Sequence, residues 1–132
     1  MKPLTQILFC FCILMLCVAT QCDDDTIGPS CNDRLDSLSE LNDQIQALVN
    51  TSECSDAFEC RAIAFGSKPC GGPWEYLIYT TSIDTLELQT LVDEYNSIEA
   101  DYNLNCDSVS DCGFVSPPSG FECSDGQCIP QF

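Results

Sequence analysis

From residue 33 to 49 apolar side chains recur every three or four positions, as Leu35, Leu38, Leu41, Ile45, Leu48 and Val49, with Asp36, Glu40 and Asp43 between them. That spacing gathers the apolar groups into one stripe of an α-helix, which Ser30 or Asn32 would cap. A second helix is predicted from about residue 85 to 104. There Asp84 and Glu87 have the spacing of a capping box, and Leu88, Leu91, Val92, Tyr95, Ile98 and Tyr102 form the stripe.

Between these segments the periodicity changes to that of strands. Residues 61–65 (RAIAF) and 74–81 (WEYLIYTT) are aromatic or β-branched and flank a glycine-proline loop over 66–73, which predicts two strands and their connection. In the second strand Trp74, Tyr76 and Ile78 share one face, and Leu77 and Tyr79 the other. If both helices cover a single face, the opposite one carries an aromatic strip, either an interaction site or a surface buried under a terminal segment. After the second helix, residues 113–116, 121–123 and 127–129 read as short strands, the last two joined by a tight turn at Asp125-Gly126. The predicted class is α+β, with two amphipathic helices packed on an antiparallel sheet of about four strands.

The N-terminal segment has a different pattern. Lys2 precedes an unbroken apolar run over 7–19, too short for a membrane span and of the length of a signal peptide. The chain then divides into a signal peptide over 1–21, a tether over 22–30 containing Gly28-Pro29, and a folded domain over 31–132.

Cysteine makes up about 9% of the 132 residues, 12 in all, a usage typical of exported domains that reinforce a modest core with cross-links. Cys10, Cys12 and Cys17 fall in the signal segment, and Cys22 at its end. Eight remain, Cys31, Cys54, Cys60, Cys70, Cys106, Cys112, Cys123 and Cys128, an even number that can pair completely. Eight cysteines allow 105 pairings, so connectivity stays open. The expected local pair is Cys123 with Cys128, which flank the predicted turn. Cys54, Cys60 and Cys70 match Cys106, Cys112 and Cys123 at offsets of 52, 52 and 53 residues, which suggests two related units, each running from a helix through C-x5-C to a strand.

Residues Ala19-Thr20-Gln21-Cys22 resemble the lipobox of bacterial lipoproteins, whose first mature residue is a lipidated cysteine. The Asp23-Asp24-Asp25 run after it is similar to the surface-export signal of Bacteroidetes-type lipoproteins. The resemblance implies a lipid on Cys22, anchorage to a membrane and an envelope location, most naturally the outer membrane. A lipid there also removes the odd cysteine; without it the chain would be a secreted protein with Cys22 free or paired to another molecule. The segments 66–79 (GSKPCGGPWEYLIY) and 110–128 (SDCGFVSPPSGFECSDGQC) are in turn similar to a group of small bacterial exported proteins sharing a CGGP...Y element and an SDC...PP...C...G.C ending. That likeness spans residues 59–128 and implies an extracytoplasmic disulfide domain with no catalytic residues.

Charge and residue inventory narrow the activities further. All 21 acids follow Cys22, against Arg34, Arg61 and Lys68, so the segment from Cys22 onward carries −18. Such a surface repels nucleic acid. Histidine is missing from the sequence, which removes the commonest general base and the partner of Ser-His and Cys-His nucleophiles. A Ser67-Lys68 dyad would need a desolvated amine, which an exposed loop does not supply. Carboxylate pairs are too abundant to single out a glycosidase, and a solvated acidic helix face accounts for them. The absence of any C-x2-C spacing favours disulfides over zinc or an iron-sulfur cluster. Asp101, Asn103 and Asn105 fit the start of an EF-hand loop, but Cys106 and Cys112 stand where glycine and a bidentate acid are needed. No metal or cofactor is expected. Asn50-Thr51-Ser52 is a glycosylation sequon, relevant only in a eukaryotic source.

The sharpest local feature is the 66–73 loop, where Pro69 and Pro73 stiffen the flanks, Gly71 and Gly72 permit unusual backbone angles and Cys70 provides a pin. Lys68, Pro69, Gly71, Gly72 and Trp74 are the candidate partner-binding residues, because a pre-organised loop loses little entropy on binding. Two functions follow as expectations. One is a non-enzymatic envelope lipoprotein binding a protein or glycan through this loop face; the other is a protease inhibitor displaying Lys68.

Overall fold

A computed structural model describes residues 28–132; the segment expected to be a signal peptide and Cys22 lie outside the described residues. The order is α1 (Cys31–Val49), β1 (Cys60–Phe65), β2 (Glu75–Thr80), α2 (Thr85–Asn105), β3 (Gly120–Ser124) and β4 (Gln127–Gln131). The described residues form a small disulfide-rich α+β domain with two helices, four strands and four disulfides.

Ser30 caps α1: its hydroxyl accepts from the Asp33 N–H while the Asp33 carboxylate accepts from the Ser30 N–H, a reciprocal capping box. The Ser30 hydroxyl also donates to the Asp33 carboxylate at 2.7 Å, and this bond first, then the Ser30 N–H, holds the Asp33 carboxyl below the usual carboxylate range. Asp84 caps α2 by accepting from the N–H groups of Leu86 and Glu87. The predicted stripes face each other and β1–β2: Ile45, Phe65, Leu77, Tyr79, Leu88 and Val92 form the core, with Leu48, Val49, Leu91 and Tyr95 packed around it. Leu35, on the same stripe but near the helix start, is 45% exposed.

The four strands pair as two antiparallel ladders, β1 with β2 and β3 with β4. In the first, Ile63 opposes Leu77 and Arg61 opposes Tyr79, so these residues share the face that the helices cover. The other face carries Cys60, Ala62, Ala64, Tyr76 and Ile78. Of the strip expected there, Tyr76 and Ile78 are half-buried, the Cys60–Cys128 bond bringing the C-terminal hairpin against β1 and β2. Trp74, by contrast, precedes β2, is 40% exposed and turns its indole to Glu99 on α2. The hairpin turns through Asp125 and Gly126 at φ 50° and 78°, the left-handed pair that a two-residue turn requires.

The disulfides are Cys31–Cys106, Cys54–Cys123, Cys60–Cys128 and Cys70–Cys112. The expected Cys123–Cys128 bond is therefore replaced by two long-range ones. Those cysteines do oppose each other across β3–β4, but both lie on the face that meets the first half of the domain, where Cys54 and Cys60 wait. The element order does repeat, a helix followed by a two-stranded ladder in each half, but the cysteine-aligned strand expected after Cys112 is absent. Cys60 opens a strand, whereas Cys112 sits at φ 53° in an irregular segment and residues 113–116 form no strand. There the Gly113 carbonyl is taken by the Lys68 ammonium, and Pro117-Pro118 follow, so ladder pairing is blocked.

Candidate functional site

The 66–74 loop is tied to α2 by a row of polar side chains. Asn96 Oδ1 accepts from the Gly66 N–H at 2.7 Å, and its Nδ2 donates to the Ala64 carbonyl at 3.3 Å. Glu99 accepts twice, from the Ser67 N–H at 2.5 Å and from the Trp74 indole N–H at 3.1 Å. One turn further along, Asn103 Nδ2 donates to the Ser67 carbonyl at 2.5 Å. Burial pushes the Glu99 carboxyl above the usual carboxylate range, opposed by these two hydrogen bonds. Gly66 is required in this clamp: its φ is 80°, and a Cβ would sit 2.4 Å from the Trp74 ring and 3.0 Å from the Glu99 carboxylate.

Lys68 is not displayed. It is 7% exposed, and its ammonium donates to the Gly113 carbonyl at 2.6 Å, lies 3.8 Å from Asp111 and sits 5.1 Å from the Trp74 ring centroid. The amine expected to be solvated is thus enclosed, and its donors serve the 111–113 turn. The Asp111 carboxyl is held below its usual range, first by the Gly113 N–H and then by Lys68. Cys70–Cys112 closes the same junction covalently. Of the other loop residues, Pro69, Gly71 and Gly72 are exposed at the tip, and Trp74 is 40% exposed at the base.

Trp74 stands at one wall of a cleft of about 540 Å³ between the helices, with Leu35, Leu38 and Asn42 on the α1 side and Tyr95, Glu99 and Tyr102 on the α2 side. Cys106 and the residues after it close one end, next to the start of α1, to which Cys31–Cys106 binds them. The partial exposure of Leu35 is explained here, because its side chain lines the cleft. Sequence reading missed Asn96, Glu99 and Asn103. Their own three- and four-residue spacing, a polar stripe beside the apolar one, was the available signal.

Other candidate chemistry is occupied. Asp101, Asn103 and Asn105 lie on α2 and not in a calcium loop; Asp101 pairs with Arg34 at 2.6 Å, and Asn105 donates back to the Asp101 carbonyl at 2.7 Å. The sulfurs of Cys54, Cys60 and Cys128 lie within 4.8 Å of one another, but all three are bonded in two adjacent disulfides and present no thiolate to a metal. No described helix is long and apolar enough to cross a membrane.

The clamp gives a direct test. Glu99→Ala leaves the Ser67 and Trp74 N–H donors to water, and since the site is only half-buried the expected cost is about 1–2 kcal/mol. The emission of Trp74, the sole tryptophan, should shift to the red and denaturant midpoints should fall together. Unchanged emission would show that Glu99 does not position the indole.

Comparison with family models, with curated proteins and with solved structures gave no match for this chain. The class is defined by fold and site alone: an extracytoplasmic, disulfide-stapled α+β domain with a clamped loop beside an interhelical cleft.

Proposed function

We propose that this protein is a non-enzymatic cell-envelope lipoprotein, held to the membrane by a lipid on Cys22, that binds a protein or glycan partner through Trp74, the loop tip and the adjoining cleft. The observation that carries the reading is the clamp. Four side chains and a disulfide hold a glycine-proline loop rigid, and its one large aromatic residue stays partly open to solvent. Such rigidity is costly to build for a mere connection and lowers the entropy lost on binding. The missing histidine and the commitment of Glu99 and Lys68 to structural bonds support a role without catalysis.

The competing reading, a protease inhibitor, needs a side chain that reaches into the protease's specificity pocket. Lys68 is enclosed and bonded, which counts against it. Titration of trypsin-like proteases is expected to give no inhibition at micromolar protein.

Intact-mass measurement of the mature protein should find acyl mass on Cys22 and no free thiol among the other eight cysteines. Immobilised protein should retain one component of envelope fractions, and Trp74→Ala should abolish that retention. An N-terminus upstream of Cys22 without acyl mass overturns the anchor; equal retention by Trp74→Ala overturns the binding face.

A further inference from the structure

We infer that the interhelical cleft under Trp74 takes a neutral glycan, a short oligosaccharide whose pyranose rings stack on aromatic side chains; this rests on the binding reading above. Three aromatic residues, Trp74, Tyr95 and Tyr102, line one space. Two of them are held in place before any ligand arrives: the Trp74 indole by Glu99 and Lys68, the Tyr95 ring by Phe65, whose centroid lies 4.4 Å away. The C–H face of a pyranose carries slight positive charge and is attracted to the negative face of such rings.

The rest of the lining suits hydroxyl groups. Ser39, Asn42 and Ser108 contribute hydroxyls and an amide at the walls, and Asn103 keeps its side-chain oxygen free of the Ser67 bond that occupies its N–H. A cleft lined by aromatic side chains and a few polar groups is the ordinary form of a small-molecule pocket, and about 540 Å³ lies within the usual range.

Charge selects among candidate ligands. A net −18 from Cys22 onward repels uronic acids, sulfated sugars and phosphates. A basic peptide would need free carboxylates, but among the described residues the acids lining the cleft are Glu99, whose oxygens receive the loop, and Asp107. The excess acid lies elsewhere, for example Asp36, Glu40 and Asp43 on the outer side of α1. An acyl chain would leave the polar rim unpaired. An uncharged polyhydroxylated ligand meets none of these penalties.

The test uses the mature protein in detergent, titrated with cello-, manno-, xylo- and chito-oligosaccharides and, for comparison, with polygalacturonate and oligolysine. At least one neutral sugar should change Trp74 emission saturably, with Kd between about 10 μM and 1 mM. Tyr102→Ala, at a half-exposed position, should weaken that sugar tenfold or more while leaving the melting curve unchanged. The proposal is overturned by silence of all four neutral series at about 10 mM, by unaltered affinity in Tyr102→Ala, or by preferred binding of polygalacturonate or oligolysine. Should the sugars stay silent while Trp74-dependent retention of an envelope protein persists, the glycan is rejected and the binding module stands. Loss of both removes the module as well.

Discussion

Replacing Cys54, Cys60, Cys123 and Cys128 together with alanine is expected to release the C-terminal hairpin and remove most of the domain's stability. β3 and β4 contain no fully buried residue, so the two bonds, together with the Cys54 N–H on the Gly126 carbonyl, carry most of their attachment. The bridges span 69 and 68 residues, and closing a loop of that length is worth about 4 kcal/mol through the unfolded chain. The two are not additive. Once Cys54–Cys123 is made, Cys60–Cys128 closes only a small ring, worth about 3 kcal/mol. The quadruple variant should thus lose roughly 7 kcal/mol, comparable to the whole stability of an ordinary domain. Cys60→Ala with Cys128→Ala alone should lose less than half of that and keep the hairpin docked. Hydrogen exchange distinguishes the cases: amides of 120–131 should lose protection in the quadruple variant before those of the helices do. Hairpin amides that stay protected would show that Phe121 and Pro130, on the inward face, hold it without the sulfurs.

Ile45→Ala should be the most damaging single change in the core. Ile45 is 0% exposed and belongs to a cluster of only six buried residues drawn from both helices and β1–β2. Truncation there removes a buried side chain and leaves a cavity that three elements must collapse to fill, at about 2–5 kcal/mol. Leu35→Ala, on the same stripe ten residues earlier but at the cleft, should cost well under about 1 kcal/mol, because much of that side chain already meets water. Guanidinium unfolding of the two variants measures the difference. Equal losses would mean that the cleft is closed in solution and that Leu35 is a core residue.

The contrast between Ile45 and Leu35 shows where sequence reading stopped. Both occupy correct positions on a helical stripe, and periodicity ranks them equally. Helix limits came within a residue or two because they depend on neighbours: Ser30 with Asp33, Asp84 with Leu86 and Glu87. The β1–β2 pair was legible for the same reason, as alternation within each strand and glycine between them act over a few residues. The 66–73 loop was visible as a rigid feature. The fate of its lysine was not, since the carbonyl that receives Lys68 lies 45 residues downstream.

What the chain determined by itself was therefore local: two amphipathic helices with their caps, the four strands that form, though also a run at 113–116 that does not, an acidic surface and an even set of cysteines belonging to an oxidising compartment. The tertiary structure decided which sulfurs meet, on which side of β1–β2 the hairpin lies, that Glu99 holds Trp74, and that a cleft lies between the helices beside it. The physical reason is range. Caps, turns and periodicity are settled by side chains within about one turn of each other. A disulfide, a buried ammonium or a cleft instead depends on the approach of segments tens of residues apart. Cys123 and Cys128 illustrate this: they stand directly across a hairpin, and each bonds a partner more than 60 residues away.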